Sequence, residues 1–262
     1  MLAAIDWHLF YERVFHPGHP WVLAIERTIY ISVAAQVLGV VLGLAAALMR
    51  MSRFAPLRFL SGLYVWFFRG TPVIVQIFFV YFGTNLLFGF TLIPNKVGWL
   101  FGMDGAAFAG ILALGINEGA YMREIIRAGI DSIDKGQMEA AKTLGMSNAL
   151  AMRRIILPQA ARVIVPPLGN EFNNMMKTSS LVSFIGVYEL FQDAEVTYSN
   201  TFKPVEVFLA VALSYLLLTT VWSFVQSWIE RRLAVSERGD EEKLGFFDRV
   251  IAASGGAVRG RG

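Results

Sequence analysis

Apolar and polar positions divide the chain into long blocks. Thr28 to Met49 runs without a charged residue, and roughly 20 helical residues at about 1.5 Å each cross a hydrocarbon core of about 30 Å. Thr71 to about Phe90 is a second such run, with Thr71 placed to cap a helix and Pro72 to open it. Glu206 to about Ile229 is a third. Two further stretches are less purely apolar. Ala106 to Tyr121 is short and contains Asn117 and Glu118, and Val163 to Leu190 is interrupted by Pro166, Pro167, Glu171 and Lys177. The pattern predicts an all-α integral membrane protein with five transmembrane helices. Pro56 to Phe68 is apolar but too short to cross, and is expected at the interface or tucked against the second span.

Positive charge orients the spans, because Lys and Arg are retained in cytoplasmic loops close to span ends. Arg123, Arg127, Lys135, Lys142, Arg153, Arg154 and Arg162 crowd one interval, a second group begins at Arg231, and Arg50, Arg53, Arg58 and Arg69 follow the first span. The intervals Asn95–Gly105 and Asp193–Pro204 offer only Lys96 and Lys203. The N-terminus is therefore expected outside and the C-terminus in the cytoplasm. Residues 1–20 form an external segment, 21–235 a transmembrane domain, and 236–262 a cytoplasmic tail expected to be disordered.

Composition agrees, with 55% hydrophobic and 16% charged residues and a mean hydropathy of +0.53. The net charge of +3 is scattered between apolar blocks and forms no basic face for nucleic acid. Cysteine is absent, which removes disulfides and thiolate metal sites. The N-terminal residues lack a signal-peptide pattern, so the chain is expected to keep its N-terminus. No GxxxxGK[ST], HExxH or GxSxG sequence occurs, and no paired aspartates or Ser–His pair falls within a span. An enzyme is not indicated, and no cofactor is expected on this chain. His8, His16 and His19 lack helical metal-ligand spacing and read as surface residues.

EAAKTLGMSNALAMRRIILP, Glu139 to Pro158, falls in the cytoplasm on this topology. Asp134 to Leu144 favours a helix, Gly145 suits a left-handed helix end, Ser147 can cap a second helix, and Pro158 discourages continuation. The result is an elbow. Ala140 and Ala141 beside Glu139 would admit another surface closely, with one carboxylate free to bond; an ordinary amphipathic linker is the alternative.

The spacing Glu139-Ala140-Ala141, three residues, Gly145, nine residues, Ile155, one residue, Leu157-Pro158 resembles the EAA motif of bacterial ABC importer permeases. RGTPVIVQIFFVYFG, GAYMREIIRAGIDSIDKGQMEAAKTLG and LGNEFNNMMKTSSLVSFIGVYEL are similar to the polar amino acid permeases, a likeness covering about residues 21–235. The resemblance implies that Glu139, Ala140, Ala141 and Gly145 belong to coupling helices seated in a cytoplasmic ATPase dimer, which carries the ATP and Mg. It also implies a second permease subunit, an external amino-acid-binding protein and a site in the bacterial cytoplasmic membrane. A passive channel or a structural membrane subunit is the competing reading, and neither needs the elbow.

Ionisable groups in a bilayer cost about 2.5–3.5 kcal/mol by insertion scales and so face protein or a water-filled cavity. Pro167, Asn170, Glu171, Asn174 and Thr178 share one helical face, with Leu168, Phe172, Met175 and Met176 largely opposite. That face can line a substrate path or join helices to one another. Asn117, Glu118 and Tyr121 can join the same cavity, or Glu118 can pair with Arg123 or Arg127. Gln76 divides between path and packing, and Glu124–Arg127 reads as an intrahelical pair.

Overall fold

The computed structural model describes residues 6–83, 86–87, 96–97 and 103–256, with side chains described through Leu233 except at 96–97 and 103. Helix α1 (Trp7–Phe15) begins at Asp6, whose carboxylate accepts from the amides of His8 and Leu9. Helix α2 (His19–Met51) contains the first apolar run with Pro20 in its first turn. Helix α3 (Ala55–Gly70) and helix α4 (Val73–Phe78), prolonged by a π turn at Phe79–Gly83, meet at a 106° break. Two short antiparallel strands, β1 (Lys96–Val97) and β2 (Met103–Asp104), pair Lys96 with Asp104 ahead of helix α5 (Gly105–Asp131). Helix α6 (Lys135–Thr143) and helix α7 (Asn148–Ala151) form the elbow. A π turn at Met152–Ile156 leads on into helix α8 (Leu157–Thr178). A 3-10 turn at Ser179–Ile185, helix α9 (Leu190–Thr201) and helix α10 (Pro204–Gly256) complete the chain.

By length and composition, α2 and the Pro204–Leu233 part of α10 are apolar enough to cross a membrane, with hydropathies of 2.2 and 2.0, and the bent α3–α4 pair makes a third candidate. Helices α5 and α8, at 27 and 22 residues, are long enough, but their polar side chains dilute the apolar signal. Part of the C-terminal end of the second predicted run, 84–85 and 88–90, and most of the Asn95–Gly105 loop lie outside the described residues.

Three expectations require correction. The Val163–Leu190 run is not one helix: α8 ends at Thr178, the 3-10 turn follows, and Gly186 reverses the chain at φ 79°. Pro72 is the cap residue of α4 and not its first helical position, while the Thr71 hydroxyl donates back to Phe67 O at 2.9 Å and closes α3. The Pro56–Phe68 stretch, within α3, packs against α2 and α5 and not only beside the second apolar run. The Ser61 hydroxyl donates to Ala46 O at 2.7 Å, and the Tyr64 hydroxyl donates to Ile116 O at 2.5 Å.

Helices α2 and α5 pack closely along their length. A Cβ on Gly39 would lie 2.6 Å from Glu118 Cγ, and one on Gly43 would lie 2.9 Å from the Arg123 backbone nitrogen. Small residues let two backbones approach where no hydrophobic gain draws helices together in lipid. Ile31, Ala35, Ile77, Ile111 and Leu114 fill the core around this pair. A second cluster, Trp21, Leu190, Ala194, Val207 and Val211, joins α2, α9 and α10, with Leu9, Phe10 and Val14 of α1 packed on it.

Candidate translocation cavity and coupling elbow

A cavity of about 430 Å³ lies between the α3–α4 break, α5 and α8. The break supplies Thr71, Pro72 and Val73; α5 supplies Leu114, Asn117, Glu118 and Tyr121; α8 supplies Glu171, Asn174, Met175 and Thr178. On each long helix the lining positions fall at three- and four-residue steps, which place them on one face.

The break leaves backbone carbonyls that the bilayer cannot satisfy. Gln76 Nε2 is shared among Phe68 O at 2.9 Å, Thr71 O at 3.1 Å and Thr71 Oγ1 at 2.8 Å. Asn117 Nδ2 donates to Phe68 O at 2.9 Å and to Gln76 Oε1 at 3.0 Å. Two amides thus hold the bend, and one of them, Asn117, also lines the cavity.

Glu118 is 5% exposed, and its one side-chain hydrogen bond among the described residues is a long 3.4 Å donation from Gln36 Nε2. It does not pair with Arg123 or Arg127. Arg123 turns to Ser61 Oγ at 3.1 Å and to Glu124, while Arg127 bonds Glu124 and, at 2.7 Å, Asp131. The expected Glu124–Arg127 pair is therefore present. Tyr121 carries the Arg69 guanidinium 5.0 Å from its ring centroid.

The structure brings together Asn117, Glu118, Tyr121, Glu171, Asn174 and Thr178. Asn170 does not join them, because its Oδ1 accepts from Gln226 Nε2 of α10 at 3.2 Å. Gln76 stands behind the wall as packing for the break. Met175, expected on the opposite face, lines the cavity at its edge, whereas Phe172 packs against Trp222 of α10 at 4.4 Å between ring centroids.

The elbow follows its local signals. Asp134 caps α6 through the Gly136 amide at 2.6 Å, Gly145 adopts φ 77° with its amide on Lys142 O, and Ser147 Oγ accepts from Leu150 N at 3.3 Å. Pro158 does not end the helix. The π turn before it widens the coil at the point where a proline ring would strike the carbonyl four residues back. Ala141 and Ala151 are buried in the elbow and Met138 and Met152 rest on Ile126, Ile130 and Ile156, so Ala141 is not open to another surface. Glu139 and Ala140 remain exposed, beside an 82% exposed Leu144.

Residues 39–235 match the family described as binding-protein-dependent transport system inner membrane component. The chain belongs to this family. The permease is 40% identical over 243 residues to the arginine transport system permease protein ArgU of Corynebacterium glutamicum, covering 89% of this chain and 74% of that one. It is 40% identical over 210 residues to the probable glutamine ABC transporter permease protein GlnM of Bacillus subtilis, covering 80% and 91%. A crystal structure of an amino acid ABC transporter with histidines superposes with a TM-score of 0.72 at 40% identity, over 81% of the permease and 94% of that chain. The MetNI methionine ABC transporter shares the fold at a TM-score of 0.65 and 19% identity, covering 81% and 95%.

Sequence reasoning missed a second buried polar centre in the permease. Glu189 is fully buried and caps α9 through the Gln192 amide at 2.9 Å, and it accepts from Tyr215 Oη at 3.0 Å and Thr28 Oγ1 at 3.3 Å. The group ties α2, α9 and α10 at one point. The signal available was a glutamate three residues before a polar helical turn, the spacing of an acidic cap.

Proposed function

We propose that this chain is the permease subunit of an ATP-driven importer of polar amino acids in the bacterial cytoplasmic membrane. It spans the membrane five times with its N-terminus outside, residues 21–235 forming the transmembrane unit. A second permease subunit, the same chain or a homologue, completes the path. An external binding protein delivers the amino acid, and a cytoplasmic ATPase dimer holding ATP and Mg drives the cycle. The names of the 40% identical relatives support the substrate class.

The observation that carries the reading is continuity between elbow and cavity. From Asn148 the helix passes through the π turn to Thr178 without a break, so the segment bearing the elbow also bears Glu171, Asn174 and Thr178. A push on the outer face of α6, where Glu139 and Ala140 are exposed, moves a cavity wall directly. A passive channel gives such a linkage no role. Within the cavity the amides and hydroxyls can orient the ammonium and carboxylate common to all amino acids.

Glu139→Lys reverses the charge on the exposed face, and Gly145→Leu forces a side chain into the left-handed region at a cost of about 1 kcal/mol or more. In proteoliposomes containing the whole complex, both should lower amino-acid uptake and binding-protein-stimulated ATP hydrolysis at least several-fold, with the permease still inserted. Unchanged uptake and ATPase association in both variants would refute the coupling role.

A further inference from the structure

The amino-acid reading leaves the side-chain class open, and the cavity's charge narrows it. Among the described residues, Glu118 and Glu171 both line the cavity, and no Lys, Arg or His does. Glu118 retains only the 3.4 Å contact from Gln36, and Glu171 has no hydrogen bond or ion pair among the described residues. The Arg69 guanidinium, which touches the lining, is occupied over the Tyr121 ring. Two carboxylates therefore face one cavity with no cation among the described lining residues, an arrangement that is costly until opposite charge enters it.

The remaining described lining groups are uncharged. Asn174 and Thr178 have no partners among the described residues and lie one and two turns along α8 from Glu171. Glu171 to Thr178 spans about 10 Å at 1.5 Å per residue, comparable with an extended amino acid bearing a long side chain. Neutral donors suit the α-carboxylate and the two glutamates suit two cations. A neutral amino acid brings a single ammonium for both glutamates, and an acidic one adds a further negative charge.

Resting on the import function proposed above, we propose that this cavity selects amino acids with a positively charged side chain over neutral and acidic ones. The permease–ATPase complex, purified without the binding protein so that its selection does not intervene, is titrated with radiolabelled arginine and competed with lysine, glutamine and glutamate. Lysine should displace arginine at concentrations about tenfold or more below glutamine, and glutamate should not displace it. Glu171→Gln should weaken arginine binding about tenfold while leaving glutamine binding unchanged, so the two converge. Glu118→Gln serves as the second variant, and Asn170→Ala, outside the cavity, should change neither ligand. Glutamine binding as tightly as arginine in the unsubstituted complex, or an equal loss for both in Glu171→Gln, overturns charge selection and leaves amino-acid import standing. Absence of binding by every amino acid overturns both.

Discussion

Gln76 and Asn117 show how a single side chain can serve the backbone of a distant element. Their amides satisfy the carbonyls freed where α3 turns into α4, and a buried polar group left unpaired costs about 1–3 kcal/mol. Gln76→Leu should therefore lower the melting temperature of the detergent-purified complex, while Gln76→Glu, which keeps shape but loses the donors, should lower it similarly. An unchanged melting temperature in both would mean that water replaces the amide. Elsewhere in the chain, the Lys203 ammonium donates to Asp6 at 2.5 Å and holds that carboxyl below the usual range, while its own value is raised. A depressed carboxyl contributes stability above its ordinary value and loses it as pH falls through the lowered one. A raised ammonium keeps its contribution until pH climbs past the raised value. Docking of α1 should thus hold through neutral pH and loosen below about pH 4. Hydrogen-exchange protection of the α1 amides that stays constant from pH 6 to 3 would remove the ion pair from that role.

Among elements, the α2–α5 pair is set by close approach. Gly43→Ala places a methyl against the Arg123 backbone nitrogen, 2.9 Å away, which must move. Overpacking of this kind costs about 1–3 kcal/mol, so the variant should assemble poorly and melt lower, whereas Gly62→Ala, with open space around it, should not. The π turn makes a different prediction. Pro158→Ala removes the ring that requires the wider coil, so the helix can revert to the α form and swing α6 about its axis. Uptake should fall while thermal stability holds or rises, and a variant with full uptake would show that the elbow's angle is not critical. The elbow was legible in the sequence because Asp134, Gly145 and Ser147 act on residues two or three positions away. The cavity face of α8 was half legible: periodicity grouped Glu171, Asn174 and Thr178, but only the neighbour α10 decides that Asn170 points elsewhere. The bend at Thr71 and the Glu189 centre draw on partners tens of residues away, Asn117 for the one and Thr28 and Tyr215 for the other, which local pattern does not encode.

At the scale of the whole molecule, the absence of cysteine makes the five-span arrangement directly testable. A cysteine at Ser147 should react with an impermeant thiol reagent only when the inner face is exposed, and one at Ser199 should label from outside; the reverse pattern would invert the proposed topology. The uninterrupted run from α7 through α8 also has a mechanical consequence. Ser147 and Glu171 are separated by about 35 Å of helix at 1.5 Å per residue, so a tilt of about 10° pivoting at the elbow sweeps the Glu171 end through about 6 Å. The segment acts as a lever arm, converting a small rotation at its elbow end into a displacement comparable with the width of an amino acid.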